Sequence, residues 1–310
     1  MYHRVAEPEH DPWGMCVSPV HFREHLQILQ KYCCVPLGQM QAAEGAPMRV
    51  AITFDDGYSD NLYAALPDLE RFGIPATFFI TTGDIENGRE FWWDELEQLI
   101  FGDPGSSQIA IPVGDSLYRW DLQTGEAIGP SDEPDRWWPA GNDARLRVFR
   151  SVYHVLQSME NEDRSVALKI IAESLSRVPE KRQSHERLNW DEIVQLSRSK
   201  LTEIGAHTVT HPKLSARSRE CQHFEIAQSK ADLEERLGRS VTSFAYPFGA
   251  RHHINQTTLD LVRQVGFLRA CSTDEAAVHP GDDRFRLPRI PVPNVTGADF
   301  ERLLASALGR

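Results

Sequence analysis

The run Val50-Ala51-Ile52-Thr53-Phe54 leads directly into Asp55-Asp56-Gly57. It is too short for a helix and rich in strand formers, so it reads as a buried strand. Gly57 gives the backbone freedom for a sharp turn at its end. Successive side chains of a strand point to opposite faces, so Asp55 and Asp56 are expected to diverge. Two adjacent carboxylates at the mouth of a core strand are costly to bury unless a cation or hydrogen-bond donors compensate. In isolation the same residues also fit an ordinary turn before a helix at 59–72.

Around this run the chain alternates between extended and helical patterns. Tyr2-His3-Arg4-Val5 looks like the tail of a strand, and Ser18-Pro19 gives an N-cap with proline at the first helical position. Leu62, Leu66 and Leu69 share one helix face, closed by Gly73, and Ile74–Ile80 is a second buried strand. The rhythm breaks between about 88 and 189, which reads as a mixed, mainly helical insertion on a repeating scaffold. Five of the seven tryptophans (92, 93, 120, 137 and 138) lie there. They suit either a sugar-binding or partner-binding surface or the insertion's own small core. Alternation resumes with a helix capped by Asn189, a strand from Leu201 to Ala206 and a long helix over roughly 218–237. A strand from Val241 to Tyr246 and another from Phe267 to Cys271 follow. Repeated strand–helix units imply a mainly parallel α/β sheet, and the pattern fits a barrel or an open doubly wound sheet equally.

The net charge of −12, from 33 basic and 45 acidic residues, argues against a nucleic-acid partner, which requires a basic face. No apolar run approaches the roughly 18 residues of a membrane-spanning helix. Met1-Tyr2-His3-Arg4 has no apolar stretch resembling a secretory leader, so the expected location is the cytoplasm. Five scattered cysteines form no CxxC pair and do not look like a disulfide framework.

A second constellation is His207-Thr208-Val209-Thr210-His211-Pro212. Two imidazoles four residues apart can share one metal ion, and Pro212 favours a loop over a helix at His211. Asp55 and Asp56, His207 and His211, Pro247-Phe248-Gly249, Arg289 and His3 all fall at the C-terminal ends of expected strands. In a parallel α/β protein those ends meet at one rim, where ligands and catalytic groups gather. One aspartate with two histidines suits Zn²⁺, with other divalent ions such as Ni²⁺, Co²⁺ or Mn²⁺ also compatible.

Taken in order, TFDDG, HTVTHP and FAYPFG resemble the motifs of the NodB-homology polysaccharide deacetylases, carbohydrate esterase family 4. The resemblance covers about 1–87 and 190–310 and leaves 88–189 outside it. It implies a distorted, incomplete (β/α) barrel that hydrolyses the N-acetyl group of an aminosugar, the partner being an N-acetylated carbohydrate. By motif, Asp56, His207 and His211 would bind the metal, and Asp55 would be the general base on a metal-bound water. Tyr246 and Phe248 would line the substrate groove, with a main-chain N–H for the oxyanion; Phe248 stands where the family has tyrosine.

Two departures follow. The motif's usual arginine is replaced by Ala245, and Arg289 in Leu287-Pro288-Arg289-Ile290-Pro291-Val292 is the candidate to keep Asp55 ionised. The family's late histidine is absent, since no histidine follows His279. Circularly permuted members carry that histidine in an N-terminal Tyr-His motif, which Tyr2-His3 resembles, so His3 is the candidate acid. Hydrolysis of another amide or of a sugar O-acetyl ester, and a non-catalytic carbohydrate-binding relative, are the alternatives. Asp55 argues against the last, because a binding module needs no spare base.

Overall fold

The computed structural model describes residues 1–40, 49–102, 106–128 and 143–307. Its central sheet has five parallel strands: β1 (Ile52–Phe54), β2 (Ala76–Ile80), β3 (Thr202–Ala206), β4 (Ser243–Ala245) and β5 (Arg269–Cys271). They pair in the spatial order β5-β4-β3-β2-β1. Apart from the first two residues of β3 and the first of β5, every residue of these strands is buried. Near-continuous burial is what a parallel sheet covered on both faces requires. Phe54 stacks on Phe78 at 4.8 Å and on Tyr2 at 5.3 Å, which locks β1 to β2 from inside.

Single residues continue the sheet at both edges. Tyr2 bridges Phe54 in parallel, and Leu287 bridges Cys271 in the same sense. These two irregular segments then meet: the Val292 amide donates to the Met1 carbonyl at 3.0 Å, and the Met1 amine donates to the Ile290 carbonyl at 2.8 Å. The sheet therefore curls into an incomplete (β/α) barrel whose last gap is spanned by loop-like backbone.

Helices return the chain between strands, and their ends follow the sequence. Ser18 accepts the His21 amide and Pro19 opens the Pro19–Leu29 helix. Asn189 and Glu192 form a reciprocal capping box on the Trp190–Leu196 helix. Gly73 and Gly238, both in the left-handed region, end theirs.

The chain divides into two compact units. The barrel unit comprises Met1–Glu7, Met15–Gly88 and Arg187–Arg310. The second unit comprises Arg89–Glu186 and also Pro8–Gly14, a segment that sequence alone placed with the barrel. Its helices Trp92–Phe101, Ala144–Ser158 and Asn161–Ser174 accompany a three-stranded antiparallel sheet, Gln108–Val113, Ser116–Asp121 and Ala127–Ile128. Trp93 and Trp120 are buried; Trp92 stacks on Tyr153 at 4.8 Å, and Trp120 donates to Ser151. These three rings serve the unit's own core, whereas Trp137 and Trp138 lie outside the described residues.

Candidate metal centre

Three rim turns build the centre. The first follows β1, where Asp56 takes a positive φ of 76° and Gly57 one of 93°. That left-handed step turns the two carboxylates apart, and the Leu188 amide holds the turn by donating to the Gly57 carbonyl at 2.9 Å. The second is the His207–His211 loop after β3. The third is the Pro247–Gly249 turn after β4. Among the described residues six non-glycine residues have positive φ, and Asp56, Thr208, His211 and Phe248 are four of them. Such backbone is unfavourable and concentrates where the surroundings enforce it for function.

Asp56 and the two histidines converge. His207 Nε2 and His211 Nε2 each lie 3.5 Å from Asp56 Oδ1. One ligand atom from each of the three residues fits within 4.8 Å of the others, and all three residues are buried. Two ligands of one tetrahedral ion, each about 2.1 Å from it, sit about 3.4 Å apart. The spacing fits a divalent ion. The donor chemistry fits as well: His207 Nδ1 lies 2.8 Å from the Ala245 carbonyl, which fixes the proton there and leaves Nε2 facing the cluster with its lone pair. Burial alone would push the Asp56 carboxyl up, but His207, His211 and His3 outweigh it and hold it below its ordinary value.

Asp55 faces the other way, to Arg289. The guanidinium donates from Nη1 to Oδ1 and from Nη2 to Oδ2, both at 2.7 Å. Arg289 also donates to the Ser272 carbonyl and to Thr53 Oγ1, so a buried cation is satisfied on every nitrogen. Burial pushes the Asp55 carboxyl up, yet Arg289, His207 and His3 more than reverse this and leave it well below the usual carboxylate range.

His3 is half-buried and close enough to Asp55, Asp56 and His207 to feel their charges. Desolvation lowers its pKa, against the upward pull of both aspartates. Phe248 packs edge-on against His211 at 4.7 Å and against His253 at 5.5 Å, forming an apolar wall. The Tyr246 ring is buried against Phe244, and its hydroxyl donates to the Phe285 carbonyl at 2.7 Å. Period-two alternation puts Tyr246 on the same inward face as Phe244.

A family model described as polysaccharide deacetylase matches residues 42–101 and 154–270, more than half of the chain. The chain belongs to the polysaccharide deacetylase family. The match reaches into 88–101 and 154–189, which the sequence motifs alone had left outside the resemblance. A search of curated proteins gives no match.

Solved structures of similar fold include the Streptococcus pyogenes deacetylase PplD in complex with acetate, with 17% identity and a TM-score of 0.58. That alignment covers 97% of this chain and 95% of PplD. IcaB from Ammonifex degensii aligns at 18% identity and a TM-score of 0.58, covering 100% of this chain and 95% of its own. A de-N-acetylase from Aggregatibacter actinomycetemcomitans aligns at 15% identity and a TM-score of 0.54, with 96% and 97% covered. At these identities the likeness establishes the barrel fold. Family membership supports carbohydrate deacetylation as the class of activity.

Proposed function

We propose that this polysaccharide deacetylase removes the N-acetyl group of an aminosugar unit by metal-dependent hydrolysis. One observation carries the reading: two adjacent carboxylates serve different partners, Asp56 the paired imidazoles and Asp55 a guanidinium. A fold needing only structural ion pairs has no use for a second buried carboxylate beside a preformed ligand set. The neighbouring structures point the same way, since one carries acetate and another is named a de-N-acetylase.

Asp56, His207 and His211 would hold the ion, and their nitrogen and carboxylate donors suit Zn²⁺ best among divalent metals. When bound, such an ion lowers the pKa of water towards neutrality and polarises a carbonyl. Asp55 stays ionised and takes the proton of the attacking water. Arg289 fixes its orientation through both oxygens and leaves each a further lone pair for that proton. The Phe248 main-chain amide is the candidate donor to the oxyanion, a role independent of its side chain. The Phe248 ring packs edge-on against His211 and gives the cluster an apolar neighbour on that side. His3, whose imidazole feels the charge of both aspartates, would in its protonated form give a proton to the leaving amine.

The test is acetate release from N-acetylglucosamine oligomers by the full-length protein, before and after chelation and after Zn²⁺ is returned. Release that chelation abolishes and Zn²⁺ restores is expected. Bound metal with no acetate released from any acetylated glycan would refute the assignment.

A further inference from the structure

The loop joining the two histidines is held from both sides. On one side the end of β2 takes its carbonyls: Thr81 Oγ1 donates to His207, the Thr82 amide to Thr208 and the Gly83 amide to Val209, at 3.3, 3.1 and 2.7 Å. Gly83 is required there, because a Cβ would lie 2.5 Å from the Val209 carbonyl oxygen. Within the loop Thr208 Oγ1 accepts the His211 amide at 3.1 Å. On the other side the Arg219–Leu237 helix presents Glu225, which is buried. One carboxylate oxygen accepts the amides of Val209 and Thr210, both at 2.8 Å, and the other accepts the Thr210 hydroxyl at 2.6 Å.

We infer that Glu225 is a positioning residue for the metal centre. It holds the His207–His211 loop in the left-handed turns that aim both imidazoles at Asp56. The inference rests on the reading that these three residues bind a divalent ion. Thr208 and His211 have φ of 65° and 55°, backbone that non-glycine residues adopt only under constraint. The two amides lying between those strained residues are the ones Glu225 captures. A charged acceptor makes stronger bonds to them than a neutral one. Its carboxylate reaches the imidazoles through the backbone and hydroxyl of the loop that carries them.

Glu225→Met keeps the length and about the volume of the side chain while removing both acceptor oxygens. Zn²⁺ affinity of the full-length protein, read by competition with a chromophoric chelator, is expected to fall about 10–100-fold, the usual effect of losing an outer partner of a ligand. The visible bands of the Co²⁺-loaded variant are expected to shift, which a residue serving only helix packing would not cause. A cooperatively folded Glu225→Met protein with unchanged affinity and unchanged Co²⁺ bands overturns the inference. If that variant does not fold, Thr210→Val decides, since it removes one of the three bonds: a several-fold loss supports the role, and unchanged affinity overturns it. Wild-type protein that binds neither ion refutes the metal reading itself, an outcome distinct from either.

Discussion

The aspartate turn after β1 and the histidine loop after β3 feed one cluster but are secured differently. Asp55 is fixed by an arginine 234 residues further along the chain, through two charged bonds. The histidine loop is fixed from close by, with Glu225 only 15 and 16 residues beyond the amides it accepts. The first arrangement sets charge, because the guanidinium keeps a buried carboxylate ionised. The second sets shape, because its bonds fall on backbone. A hydrolytic centre needs both: ligands at fixed separation, and a base with a fixed protonation state.

Substitutions that divide these two tasks test the contrast, beginning with the largest effect. His207→Ala or His211→Ala is expected to reduce divalent metal content to background by elemental analysis, with activity lost. Retained metal would remove the mutated histidine from the ligand set. Asp55→Asn is expected to keep its metal while turnover drops by roughly 10²–10⁴, the share of general acid–base catalysis. Loss of metal instead would mean that the two aspartates share one task and the contrast fails.

Arg289→Gln strands a buried carboxylate and should cost about 3–5 kcal/mol of stability at neutral pH. The sign of its pH dependence follows from Asp55. In the wild type that carboxyl lies below the unfolded value of about 3.9, so its contribution is complete above that value and is lost only as pH falls through the depressed one. Removing Arg289 takes away the largest influence that lowers the carboxyl and leaves burial, which raises it, so the variant's deficit is expected to be greatest near pH 7 and to narrow on acidification. Thermal melts from pH 7 to pH 4 measure this, and a deficit that does not change with pH would contradict it. His3→Ala should lower kcat by about 10²-fold, the low end of the acid–base range, with KM nearly unchanged. An unaltered kcat would assign the proton to another donor.

The parts of this site that are local in sequence were legible. The β1 run into Asp55-Asp56-Gly57 announces a buried strand meeting paired charge, and His207 and His211 advertise a loop through Pro212. Arg289 could be nominated because it stands in a proline-flanked extended stretch, but its pairing with Asp55 depends on how the sheet curls. Glu225 gave no signal: it is one acid on a polar helix, and nothing in the spacing says that it is buried. Alternation from Phe244 accounts for the burial of the Tyr246 ring, which its motif neighbours did not announce. Pro8–Gly14 joins the second unit through contacts such as Trp13 on Tyr153, at 4.1 Å between rings, which lie too far apart along the chain for local patterns to report.

The seam where Leu287–Val292 meets Met1 and Tyr2 has a consequence for biosynthesis. A polypeptide leaves the ribosome N-terminus first, so the strand bearing Asp55 emerges 234 residues ahead of the cation that neutralises it. The ion pair that fixes Asp55 is therefore among the long-range contacts of the barrel that wait for late-made residues.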